Sequence, residues 1–226
     1  MAQEVQDEFL PDLVLNDPLL EDDDDEDRER DAFITSMEDE IKDFDSNWRL
    51  FGITALRCSA HLMQLPIMKT LRDKNNVFYD ILVKVRKMVK KYAKSVNAKE
   101  ELYHLVNLMV VSYVVTRWWS DCDMMTRVKK IEQEAPDALN KVIDSCEWDE
   151  DLKLDKRDFT LIDRFIKLFQ PIKNMSDQLS GEQYSSIHMV LPTIRDVKEH
   201  IDQFKSDKVI GKTVRALSKE FDHYFK

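Results

Sequence analysis

Three groups of residues in this 226-residue chain have types and spacings that could do chemistry. Cys58 and His61, in RCSAHLMQL, stand at i and i+3 and share one side of a helix. That is half of a zinc site, and a structural zinc takes four ligands, commonly as two such pairs. Cys122 and Cys146 lie far from one another, and His104 has no ligand neighbour. A packed thiol and a hydrogen-bonded imidazole are therefore the reading for Cys58 and His61, with no metal and no other cofactor expected. Lys84, Lys87, Lys91 and Lys94 recur at steps of three and four along one helix face. Such a row is solvated, is answered by the chain's own acids, or contacts phosphate and gains affinity by releasing counterions. Arg117 stands beside Trp118 and Trp119 in TRWWSD. Composition places both tryptophans in a core. The sharper alternative sets Arg117 against phosphate and a tryptophan ring against a base. There is no Gly-rich phosphate loop, no GxSxG elbow and no HExxH. Carboxylates are abundant, but spacing singles out none of them as catalytic or metal-binding.

The elements that must position these groups read as helices. Leu56, Ala60 and Met63 mark one, with Pro66 expected to end or kink it. Phe78, Ile81, Leu82, Val85, Val89 and Tyr92 form an apolar stripe on the helix that carries the lysines. AKEELYHLVNLM is a further helix, and the β-branched VVSYVVT after it is expected to be extended. Ser120 or Asp121 can cap a helix running through Met124, Met125, Val128 and Ile131. Pro136 marks the next turn and a first helical position. Asp158 is the expected cap of a long helix with Leu161, Phe165, Leu168, Phe169 and Ile172 on one face, bent at Pro171. Gly181 breaks the chain after it. Two more helices follow, one through Val190, Ile194, Val197 and Ile201, the other through Val209, Val214, Leu217, Phe221 and Phe225.

The bulk composition agrees. Three glycines and six prolines are few for a protein built on tight β-turns, so the fold class is all-α, a helical bundle or array. Residues 1–45 hold 19 Asp and Glu against 3 Lys and Arg, a net of −16, whereas residues 46–226 hold 25 acids against 31 bases, a net of +6. The reading is an acidic, disordered leader over residues 1–45 and a mildly basic helical body over 46–226. The leader could mimic a nucleic acid or contact a basic protein partner, and FLPDLVLNDPLL within it could serve as a docking motif. An odd, widely spaced set of three cysteines argues against a disulfide framework and for a reducing compartment, nucleus or cytoplasm. No apolar run approaches the length of a membrane span, so no membrane partner is expected.

Four stretches resemble, in order, the hAT superfamily of DNA transposases and the host proteins derived from them. RCSAHLMQL is similar to the family's RC-x-x-H-x-x-x-L helix, and KVRKMVKKYAKS to the lysine-rich helix that follows it. TRWWSDCDMMTRV is similar to TRW-x-S-x-x-x-M through Thr116, Arg117, Trp118, Ser120 and Met124, with Trp119 departing from the usual polar residue. LSGEQYSSIHMVLPTI is similar to the LS…VLP segment through Leu179, Ser180, Leu191 and Pro192. The resemblance covers residues 57–192. It implies the all-helical insertion of an RNase H-like catalytic core, with Cys58 and His61 at the junction with that core. It also implies nuclear localisation, a transcription-related role and DNA as a partner, with Trp118 stacking on a flipped base beside Arg117. The family's BED zinc finger and its catalytic aspartates and glutamate have no counterpart carried over, since Asp45 and Asn47 only echo the second aspartate at a shorter spacing. Two-metal cleavage needs carboxylates converging on both ions. The expectation is a non-catalytic transposase-derived protein with residual DNA binding. The alternatives are a helical protein-interaction module using the acidic leader, and an active transposase or nuclease complemented by the missing segments.

Overall fold

The computed structural model describes residues 23–49, 59–179 and 187–225, with the side chains at 23–26, 41–49, 59–62 and 187–188 outside the description. Among the described residues there are nine α-helices and no strand. They are α1 (Asp23–Arg49), α2 (Ser59–Arg72), α3 (Tyr79–Lys94), α4 (Val96–Val106), α5 (Trp118–Glu134), α6 (Ala138–Ser145), α7 (Lys156–Leu179), α8 (Ile187–Asp202) and α9 (Gly211–Tyr224), with a short 3-10 turn over Glu150–Leu152. None of them is long and apolar enough to cross a membrane. α5 packs on α7, α2 on α9, and α7 and α9 both on α8, while α1 lies against α2.

The apolar stripes of the sequence become the core. Phe78, Ile81, Leu82, Val85, Val89 and Tyr92 of the α3 stripe are all buried, as are Phe165, Leu168, Phe169 and Ile172 of α7, with Leu161 half-buried at the edge. Phe78 meets Phe165 edge-on at 5.4 Å and Phe169 at 6.0 Å, and Phe165 and Phe169 lie 4.7 Å apart, a cluster worth more than its buried area alone. A single residue joins α3 to α4. Ser95 is extended; its N–H donates to the carbonyls of Lys91 and Tyr92 to close α3, and its Oγ accepts from the Ala98 N–H to start α4. Asn107 closes α4 in the left-handed conformation that asparagine tolerates.

Several local expectations change. α2 runs six residues past Pro66, which is buried within it and does not end it, whereas α7 continues through Pro171 to Leu179 as its stripe through Ile172 requires. Burial of the flanking turns outweighs the roughly 3 kcal/mol an interior proline costs a helix. VVSYVVT is non-helical, as expected, and makes one isolated bridge, Val114 to Arg117. Asp155, not Asp158, caps α7. Its Oδ1 accepts from the N–H groups of Arg157 (2.7 Å) and Asp158 (2.8 Å), while Asp158 Oδ2 accepts from the Asp155 N–H at 3.1 Å. This is a reciprocal capping box in which Asp158 is the third helical residue. α6 starts at Ala138, two residues after Pro136, behind a left-handed Asp137.

The largest correction concerns the acidic segment. Of the disordered leader expected over residues 1–45, the part within the described residues is helical: α1 begins at Asp23, and Arg30, Ile34 and Met37 on one of its faces are buried. Its acids hold it down. Asp31 pairs with Arg72, Glu38 with Lys69, Asp27 accepts from the Tyr79 hydroxyl at 3.1 Å, and Glu38 from the Tyr224 hydroxyl at 2.8 Å. Self-repulsion keeps such a block unfolded only while no cations face it; here α2 supplies them. The docking motif FLPDLVLNDPLL lies outside the described residues.

Candidate functional site

The segment Thr116–Asp121 is built as a knot at the start of α5. The Arg117 N–H donates to the Val114 carbonyl at 3.0 Å, and Ser120 Oγ accepts from the Val114 N–H at 2.8 Å while donating to the Arg117 carbonyl at 2.6 Å. Gln64 Nε2 of α2 reaches the Thr116 carbonyl at 2.5 Å. Neither Ser120 nor Asp121 caps α5: the helix begins at Trp118 with Arg117 in the cap position, and Ser120 folds back on the loop from inside the first turn.

Trp118 and Arg117 point to opposite fates. The Trp118 ring is 1% exposed, 6.3 Å from Phe169 and edge-on to Trp119 at 6.5 Å. A base-stacking role for Trp118 therefore has no ring face to work with in this conformation: α7 occupies the space a base would need. Its Nε1–H finds no acceptor among the described residues, a burial that costs about 1–3 kcal/mol. Trp119, expected in the core, is half-buried at its margin. Arg117 is exposed. Cys122 and Met124, next along α5, are fully buried, and burial pushes the Cys122 thiol pKa well above its ordinary value.

Beneath the knot lies a charged cluster that the sequence reading missed. Asp121, 0% exposed, accepts a fork from Arg86 of α3: Nε to Oδ1 at 3.0 Å and Nη2 to Oδ2 at 2.7 Å. Arg30 of α1 adds a third, longer contact at 3.4 Å to Oδ2. Desolvation lowers the Arg30 pKa despite the attraction of Asp121. Arg86 also stacks over Tyr113 at 5.4 Å. Two guanidiniums thus converge on one buried carboxylate. The signal was legible in the sequence. Arg86 falls on the buried stripe of α3 between Leu82 and Val89, and Asp121 sits three residues after Trp118 and four before Met125. A charge on an apolar stripe must find a partner.

The lysine row divides. Lys84 Nζ donates to Asp158 at 2.7 Å, and Lys91 Nζ to Asp149 at 2.6 Å while lying 5.8 Å from the Trp148 ring. Lys87 and Lys94 are exposed. Of the four lysines expected to contact phosphate, Lys84 thus faces Asp158 in the first turn of α7 and Lys91 faces Asp149 in the segment between α6 and α7. Cys58 and the side chain of His61 lie outside the described residues, as do Ser180 and the side chains of Asp45 and Asn47. Of the fourth motif, Leu179 is buried, whereas Leu191 is 78% exposed on α8. No three metal-ligating side chains converge among the described residues. Comparisons with protein-family models, with characterised proteins and with solved structures found no match, so the resemblance to the hAT family stands on its four motifs.

Proposed function

We propose that this chain is a nuclear, hAT transposase-derived helical protein that binds DNA by charge rather than by base stacking or catalysis. The observation that carries the reading is the split within Thr116–Trp118. The buried Trp118 anchors the start of α5, and the anchored turn presents Arg117 to solvent. Lys87 and Lys94 add exposed cations on α3, and the body they belong to carries a net positive charge. Contacts of this kind position a protein on the phosphate backbone and carry no sequence information.

The test is titration of the full chain with duplex DNA at several salt concentrations. Affinity should fall as salt rises from about 50 to about 200 mM, and Arg117→Ala should reduce the slope by about one unit. Binding that is absent, or indifferent to salt, would sink the reading. A protein-interaction module is the second reading, favoured by the exposed Met189 and Leu191 on the first half of α8. Its leader-based form has less to draw on, since Asp27, Asp31 and Glu38 already face partners within the chain.

A further inference from the structure

Helix α1 is fastened differently from the other helices. Among its described side chains only Arg30, Ile34 and Met37 are buried. Phe33 packs against the core from its edge, and the polar contacts of the described side chains include Asp31 on Arg72, Glu38 on Lys69, Asp27 on Tyr79 and Glu38 on Tyr224. Lys69 also lies 5.3 Å from the Tyr224 ring. The surface under α1 is therefore an array of cationic and hydroxyl donors from α2, α3 and the end of α9.

Two features make α1 removable. The Arg86 fork satisfies both oxygens of Asp121 without Arg30, so departure of α1 leaves no buried carboxylate unpaired. Arg30, by contrast, is desolvated where it sits and regains water on leaving. A cleft of about 300 Å³ also opens between α1 and the end of α2, lined by Asp27, Arg28, Asp31, Arg72 and Lys74. Arg72 and Lys74 are exposed in that cleft, beside the Asp27 and Asp31 carboxylates.

We propose that α1 is a displaceable acidic strap over a polyanion-binding surface formed by Lys69, Arg72 and Lys74, and that duplex DNA competes with it for that surface. The charge of the carboxylates supports a nucleic-acid competitor. Asp27, Asp31 and Glu38 place three carboxylates along about three turns of α1 against Lys69, Arg72 and the Tyr79 and Tyr224 hydroxyls, and a duplex offers the same sign of charge at a higher density, one per about 1.7 Å of axis. The proposal rests on the DNA-binding reading and adds to it a site and its occupant.

The experiment uses the full chain and two variants. Ile34→Ala with Met37→Ala unseats the strap without changing charge; Asp31→Asn with Glu38→Gln removes its anionic grip. Amide exchange reports whether α1 has loosened, and near-ultraviolet circular dichroism whether the tryptophan core persists. A site open about one-tenth of the time binds about tenfold more weakly than an open one, so both variants should bind duplex DNA about tenfold tighter than wild type. Adding DNA to wild type should speed exchange in α1 while slowing it at the end of α2.

A gain in the charge variant alone would mean net charge rather than unmasking, and would overturn the strap. So would loosened α1 with unchanged affinity, or exchange in α1 unmoved by either variant. Displacement of α1 by polyglutamate but not by DNA would overturn the assignment of the competitor. If wild type and variants bind DNA equally and Arg117→Ala weakens all three, the strap fails while the DNA-binding reading stands. If none binds, both fail.

Discussion

α1 and α5 both reach Asp121, and they do so by different physics. α5 arrives with Trp118, Cys122, Met124, Met125, Val128 and Ile131 all buried against α7 and its neighbours, and carries Asp121 in with them. α1 arrives with a row of carboxylates and a single guanidinium, over two buried apolar side chains among those described. The first is held by excluded water, a force that salt strengthens if it changes it at all. The second is held by partly exposed ion pairs, each worth about 0–1 kcal/mol and screened by salt. The same carboxylate is thus part of a permanent core seen from α3 and α5, and part of a reversible joint seen from α1.

The contrast can be broken most sharply at Trp118. Trp118→Ala should destabilise the chain by about 3–5 kcal/mol in chemical denaturation, since the ring fills space between α5 and α7. Its unpartnered Nε1–H should make Trp118→Phe clearly milder than Trp118→Ala. An alanine variant with an unchanged melt and weaker DNA binding would return the ring to a stacking role.

The next largest effect separates the two arginines. Arg86→Ala strips the fork from a carboxylate with no exposure and should cost about 3–5 kcal/mol. Arg30→Ala removes a longer contact and relieves the desolvation of a second cation, so about 1 kcal/mol or less is expected. Equal costs in the same denaturation experiment would mean that α1 belongs to the core after all.

The smallest effect is in pH. Hydrogen bonds from Lys129 and Lys167 hold the Asp163 carboxyl below its ordinary value. A depressed acid stabilises the fold above its unfolded pKa of about 3.9 and loses that contribution as pH falls through the lower folded value. Lys69, under α1, is the reverse. Burial pulls its pKa down, but hydrogen bonds to Glu38 and Tyr224 outweigh that and leave it raised. Its contribution is complete below about pH 10.4 and is lost as pH rises through the folded value. Amide exchange should therefore show the Lys129–Asp163 contact between α5 and α7 weakening in acid, and the Lys69 anchor of α1 weakening in alkali. Loosening of α1 that ignores alkaline pH would remove Lys69 from its hold.

Much of the fold could be read from spacing. The stripes of α3 and α7 and the last two helices follow directly from apolar residues at three- and four-residue intervals. Boundaries were less legible where side chains were used twice. Asp158 looks like a cap because it precedes an apolar stripe, yet Asp155 takes that place while Asp158 serves both the capping box and Lys84. Ser120 looks like a cap for the same reason, and is claimed by Val114 and Arg117 instead. Of the candidate site, the exposed Arg117 was legible. The division of the lysine row was not, because Asp149 and Asp158 approach Lys91 and Lys84 from a segment more than fifty residues away.

What the sequence by itself determined is the all-helical class and the face that most helices bury, because both follow from local backbone preference and from a period that neighbouring residues share. The fate of most charged groups and of the two tryptophans was decided only by the tertiary structure. Arg30 and Asp121 are separated by 91 residues and meet in a cluster that neither helix specifies alone. The acidic segment shows the same dependence: in isolation its repulsion favours an open chain, and the ammonium and guanidinium groups of α2 reverse the sign. Electrostatic energy depends on what stands opposite and on how much water lies between, and only the assembled helices set those two quantities.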